Sequence, residues 1–230
     1  MRFNKGIVLF FALLIVTTIS LFAQTSRVIK LTEEEKQKTV TKSVREKFNL
    51  ENSILNAYKY TDASGAYLTT IGQNKGTYLL DNKDTATIKV TVINFKIENN
   101  ELIEMCTFEI NALPDFIVGV QDVIVLEDQL EFSDFDQDSL IEPLIVCRTL
   151  TELKLSIIYK SEIISINHHF KGYDYNTLNI DRQFYSLNEV IQNRIIEKLQ
   201  MMETSSKFIL PNNWKKKMKN RITLIRSKYK

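Results

Sequence analysis

From about residue 54 to about residue 170 the apolar residues of this chain recur largely at every second position, and on both flanks they return every three or four. A period of two places alternate side chains on opposite faces of a strand. A period near 3.6 gathers them along one side of a helix. The order helix, many strands, helix predicts an α+β fold, mostly antiparallel β-sheet or meander with an N-terminal helix and a C-terminal helix. The 230 residues hold only 6 Gly and 3 Pro. No unit of about 20–50 residues repeats, which argues against a full propeller or solenoid.

The first helical stretch is "LTEEEKQKTVTKSVREKF". Thr32 and Glu35 have capping-box spacing, and Val40, Val44 and Phe48 form a thin apolar stripe. "ILNAYKY" and "AYLTTIG" flank the turn residues of "TDASG". In "ATIKVTV" the residues Ala86, Ile88, Val90 and Val92 share a face, after which Ile93, Phe95 and Ile97 take the opposite parity. That switch predicts a bulge or a strand buried on both sides. "ENNE" is a tight connection to "LIEMCTFEI". A run "FIVGVQDVIVL" then leads through "EDQLEF" to "LIVCRT", "ELKLSIIYK" and "EIISINHHF", a meander of strands. The last helix is "SLNEVIQNRIIEKLQMM", with Ser186 and Glu189 in capping-box spacing. Its stripe of Leu187, Val190, Ile191, Ile195, Leu199 and Met202 is wide enough to cover a sheet.

Arg2 and Lys5 precede a 16-residue apolar run, Ile7 to Phe22, and Ala23 stands before Gln24. That is the layout of a secretory signal peptide, and the run is short for a membrane span of about 20 residues. The expectation is export, to the periplasm or beyond. The chain then divides into a signal peptide (1–23), an N-terminal helical segment (24–50), a β-rich α+β domain (51–210) and a basic C-terminal tail (211–230). The segment 214–230 holds 8 basic residues and no acid; residues 24–213 hold 20 basic and 28 acidic ones, a net of −8. Nucleic acid is not an expected partner of an exported protein. The tail, with Trp214, Met218, Ile222 and Ile225 near one side of a helix, suits an anionic membrane surface, a polysaccharide, or the chain's own acidic body.

One stretch carries chemistry. "SDFDQDSLIEP" puts carboxylates at Asp134, Asp136, Asp138 and Glu142 and a carbonyl at Leu140. Counted from Asp134, these are positions 1, 3, 5, 9 and 7 of a loop between two strand-like segments. Calcium takes about 6–8 oxygens in flexible geometry, whereas magnesium demands a stricter octahedron. Three carboxylates along one face of a flat strand would repel one another, so curling around a cation is favoured. An EF-hand needs an acid at position 12, and Ile145 stands there. Position 6 of such loops is a left-handed turn favouring glycine, and here it is Ser139. The plain alternative is an acidic hairpin that binds nothing.

The acidic core and its following strand resemble the aspartate-rich calcium loop of FG-GAP repeats, in a single copy. Residues 55–200 also resemble a family of small exported bacterial proteins linked by name to surface polysaccharide biosynthesis. There a β-rich middle carries one "DxDxDGxxE" loop followed by a strand, a nearby cysteine and a hairpin. The matching residues are Asp134, Asp136, Asp138 and Glu142, then "LIVCRT" and "LKLSIIYKSEIISI". The resemblance implies a tie to envelope polysaccharide and no known reaction. The expected role is therefore a non-enzymatic, exported, structurally calcium-binding protein whose partner is polysaccharide or another envelope protein. A calcium-dependent enzyme acting on envelope glycan, and a scaffold docking through its basic tail, are the alternatives.

Other residues are weaker leads. Cys106 and Cys147 are 41 residues apart. A disulfide between them would stabilise by roughly 4 kcal/mol in the chain-entropy model, and two buried thiols are the alternative. His168 and His169 point to opposite faces of a strand and cannot easily share an ion. His168 has core parity; His169 is expected at the surface. Tyr173, Tyr175 and Tyr185 are candidates for stacking on sugar rings or for partial core.

Overall fold

A computed structural model of the chain describes residues 27–48, 50, 53–77, 85–112, 122–170, 176–205 and 209–226. The expected signal peptide lies outside these residues, as do Tyr173, Tyr175 and the first part of "FIVGVQDVIVL". Among the described residues no helix is long and apolar enough to cross a membrane.

Among the described residues, twelve strands form two antiparallel sheets. The first has the order β1 (Arg27–Lys30), β2 (Ser53–Asp62), β3 (Gly65–Thr77), β4 (Thr85–Glu98), β5 (Glu101–Asn111), each pairing with the next. The second runs β12 (Leu224–Arg226), β11 (Thr177–Ile180), β10 (Glu162–His169), β9 (Glu152–Tyr159), β8 (Glu142–Arg148), β6 (Ile124–Val125), and β7 (Glu131–Ser133) also pairs with β8. Helices α1 (Glu33–Thr39) and α2 (Lys42–Lys47) precede β2; α3 (Glu189–Ser205) and α4 (Trp214–Lys219) lie between β11 and β12.

Three buried clusters show how these elements stack. Ile71, Val90, Val92, Phe108 and Ile110 of the first sheet pack on Val125, Ile145, Cys147 and Ile158 of the second, so the sheets face each other. The far side of the first sheet, through Ala57, Leu68, Ile93 and Phe95, is covered by Val40, Val44 and Phe48. The far side of the second, through Leu144, Leu155, Ile157 and Ile166, is covered by Ile191, Ile195, Leu199 and Met202 of α3. The result is a β-sandwich with a helical layer on each outer face.

Those two covered faces explain the apolar runs. In β8, Leu144 and Val146 face α3, while Ile145 and Cys147 face the other sheet. In β4, Val90 and Val92 face the second sheet, and Ile93 and Phe95 face the N-terminal helices. Both outcomes foreseen for the parity switch occur: the strand is buried on two sides, and its register with β5 shifts between Asn94 and Phe95. "ENNE" is a tight turn with Asn99 and Asn100 at φ 51° and 64°, the left-handed pair a two-residue hairpin needs.

Five local expectations change. The first helical stretch is two helices, because Thr41 caps α2 by accepting from Val44 N, and Val40 between them is 1% exposed, filling the core. The capping box of Thr32 and Glu35 is formed as expected. Before it, β1 adds a strand where only helix was expected. In α3 the cap is Asn188, whose Oδ1 accepts from Val190 N at 3.0 Å, while Ser186 donates to Gln183 O within a 3-10 turn. Val190 lies off the buried stripe and is exposed. The segment after 213 turns from α4 through Arg221, at φ 57°, into β12. Trp214, Met218 and Ile225 are buried against the second sheet, and Trp214 Nε1 donates to Glu203 Oε2 at 3.2 Å.

Candidate metal centre

Strands β7 and β8 pair antiparallel, with Glu131 opposite Leu144 and Ser133 opposite Glu142, so residues 134–141 are the loop of a hairpin. Within it Gln137 and Ser139 both take left-handed backbone, at φ 62° and 70°. These two positions alternate with Asp136 and Asp138 and wind the chain into a tight coil. One carboxylate oxygen from each of Asp134, Asp136 and Asp138 lies within 4.8 Å of the other two. Backbone N–H groups brace the coil: Ser139 N donates to Asp134 Oδ2, Leu140 N to Asp138 Oδ1 and Phe135 N to Glu142 Oε2, each at 2.9 Å.

The Oδ1 atoms of Asp134 and Asp136 are buried and accept no hydrogen bond. A buried acceptor without a donor costs about 1–3 kcal/mol, and three converging carboxylates add mutual repulsion. A cation at their centre offsets both costs, so this triad could hold a metal ion.

The other two expected ligands are the Glu142 carboxylate and the Leu140 carbonyl. Glu142 begins β8, is 1% exposed and lies outside the triad, with Oε2 on Phe135 N. Burial pushes its carboxyl up to about 8; the Phe135 N–H pulls it back, and Asp136, Asp138 and Asp134 push it further up. Leu140 joins the loop through its N–H on Asp138.

Two residues had no signal as part of this site. Asp62, in the β2–β3 hairpin, looked like turn chemistry, and its Oδ1 does accept from Ser64 N at 2.8 Å and from Ser64 Oγ at 2.7 Å. Its Oδ2, however, accepts from Ile141 N at 3.2 Å, and Ala63 N donates to Ser139 O at 3.0 Å. The first sheet therefore grips the loop of the second. Phe132, just before the loop, adds ring contacts with Tyr58 at 4.6 Å and Tyr60 at 5.8 Å. Lys160, in the β9–β10 turn, puts Nζ 3.5 Å from Asp138 Oδ2, a resident positive charge beside the exposed member of the triad. Nothing near either residue in sequence could have linked it to position 134.

Two spaces adjoin the loop. A cavity of about 50 Å³ between the sheets is lined by Tyr60, Asn94 and Glu142 among other residues; it suits a few waters. A groove of about 380 Å³ runs beside α3, along Phe135, Val190 and Arg194, whose guanidinium donates to Glu131 at 2.6 Å.

The remaining candidates lie away from the acidic loop. Cys106 and Cys147 are free thiols, on β5 and β8 of opposite sheets, so the bond left open by the sequence is not made here. Burial pushes them up to about 11 and about 12. His168 is buried beside Ile164 and Ile166, its Nε2 3.3 Å from Asn176 Oδ1, and burial pulls its imidazole down to about 4. His169 is half-buried with Nε2 3.3 Å from Asn179 Nδ2. Tyr185 donates its hydroxyl to Ile222 O at 2.7 Å and is part of the core edge.

The fold and site define a helix-flanked antiparallel β-sandwich with one aspartate hairpin loop able to hold a metal ion. Comparison with protein-family models, with curated proteins and with solved structures finds no match.

Proposed function

We propose that the loop 134–142 binds calcium and that the protein is an exported, non-enzymatic calcium-binding component of the cell envelope, tied to the building or upkeep of surface polysaccharide. The observation that carries the calcium half is the converging triad with its two unsatisfied Oδ1 atoms. Three carboxylates in a flexible coil, with waters and carbonyls completing the shell, suit calcium better than the rigid octahedron of magnesium. The role is structural: the coil is bonded to the first sheet through Asp62 and Ala63, so a cation there fastens one sheet to the other. Export follows from residues 1–23, and the polysaccharide link from the resemblance over residues 55–200.

The test is calorimetric calcium titration and thermal unfolding of residues 24–230 after removal of bound metal, beside Asp136→Ala. Saturable binding is expected, with stabilisation of about 2.7 kcal/mol at calcium one hundred times Kd. That is a rise in Tm of about 5–10 °C. Both effects vanish in the variant. No binding at millimolar calcium would reduce the loop to an acidic turn. Turnover of an added envelope glycan would replace the non-enzymatic role with a catalytic one.

A further inference from the structure

Beside α1 and α2, on the outer face of the first sheet, lies a groove of about 400 Å³, within the size range of small-molecule sites. Its floor is apolar: Val44 and Phe48 from α2 and its C-cap, Ile97 from β4 and Leu102 from β5, all half-buried. These four side chains carry no polar atom and pack on the buried cluster of Leu68, Ile93 and Phe95, yet the groove leaves part of each open. The rim carries Lys38, Lys47 and Lys59 against a single acid, Glu101. Lys38 is paired with Glu34 at 2.7 Å, and the adjacent Glu46 is taken by Lys42 at 3.8 Å. Lys47 and Lys59 form no ion pair among the described residues. On a body of net charge −8 over residues 24–213, this is a positive rim around uncovered hydrocarbon.

We propose that this groove binds a single anionic amphiphile, with its hydrocarbon chain along Val44, Ile97 and Leu102 and its anionic head on Lys47 and Lys59. Hydrocarbon fits the floor better than a sugar ring does. Phe48 stands edge-on to Phe95 at 4.8 Å, and Lys47 Nζ is 5.1 Å from its ring centroid. That ring is therefore no open stacking platform; Thr39, Thr41 and Asn100 also line the groove, but Val44, Phe48, Ile97 and Leu102 offer only hydrocarbon. Charge complementarity fixes the sign of the head group, because only an anionic head offers Lys47 and Lys59 an ion pair, which neither forms among the described residues.

The experiment is equilibrium titration of the protein with octanoate, nonanoate and decanoate below their micelle concentrations. Decanol and inorganic phosphate serve as tail-only and head-only controls. Saturable binding is expected at one site, tightening roughly fourfold per methylene. Decanol and phosphate should bind far more weakly. Lys47→Gln/Lys59→Gln should weaken decanoate on the order of tenfold, and Leu102→Gln should flatten the chain-length series with the lysines intact. All three substitutions are at partly or fully exposed side chains, and circular dichroism checks the fold. Phosphate binding as tightly as decanoate, or decanoate indifferent to both variants, overturns the proposal. So does sedimentation with phosphatidylglycerol vesicles without any binding of free carboxylate, which would make the groove a membrane contact.

Discussion

Ser139 holds φ 70° at the sixth position of the acidic loop. A β-carbon in left-handed backbone crowds the following carbonyl, at roughly 1–2 kcal/mol relative to glycine. Its hydroxyl makes no hydrogen bond among the described residues, and the side chain is exposed. The main-chain bonds, Ser139 N to Asp134 Oδ2 and Ala63 N to Ser139 O, need no side chain. Ser139→Gly therefore removes the crowding and breaks nothing. Glycine also enlarges the freedom of the unfolded chain, taking back about 0.5–1 kcal/mol. The expected net gain is about 0.5–1 kcal/mol, a rise in Tm of about 1–4 °C for a chain of this size. The assay is thermal and urea unfolding of the parent, Ser139→Gly and Ser139→Ala under one buffer. Alanine keeps the β-carbon and should leave stability unchanged. Alanine matching glycine, or glycine lowering Tm, would refute the assignment of strain to the β-carbon.

Three further outcomes are expected. His168 is pulled by burial from an ordinary value near 6.5 down to about 4; between these the unfolded chain binds the proton and the native one does not. Stability is thus full above about pH 6.5 and falls by roughly 3 kcal/mol as pH drops toward 4, and urea unfolding of His168→Gln should lack that part of the slope. Both thiols should resist alkylation in the folded protein at pH 8, Cys147 more than Cys106, since burial pushes them to about 12 and about 11; labelling of both in denaturant without reductant confirms that they are unbonded. Trp214→Ala, at a side chain packed in the outer core and bonded to Glu203, should cost about 3–5 kcal/mol in chemical denaturation, whereas a loosely attached tail would lose almost nothing.

Much of the fold is legible because it is local. The parity change at Ile93 anticipates a strand with two covered faces, and the Thr32–Glu35 spacing anticipates a capping box that forms as written. The hairpin loop is legible for the same reason, since Asp134, Asp136 and Asp138 lie within five residues of one another. The failures are also instructive. The stripe of Val40, Val44 and Phe48 was continuous in sequence, but Thr41 could cap a new helix, and burying Val40 favoured the break. For Trp214, Met218 and Ile225 the sequence left a membrane, a polysaccharide and the chain's own body open; they pack on the body, against partners far away in the chain such as Leu178 opposite Ile225.

The sequence alone determined the two hydrophobic periods, the capping box of Thr32 and Glu35, the hairpins and the acids of the loop, all set by steric and hydrogen-bonding preferences acting over a few residues. Tertiary structure decided that the first sheet would brace the loop through Asp62, that Lys160 would stand beside Asp138, and that four apolar side chains would share one groove with Lys47 and Lys59. Those contacts join residues tens of positions apart, and only the packing of one sheet on another, and of helices on both, brings them within reach.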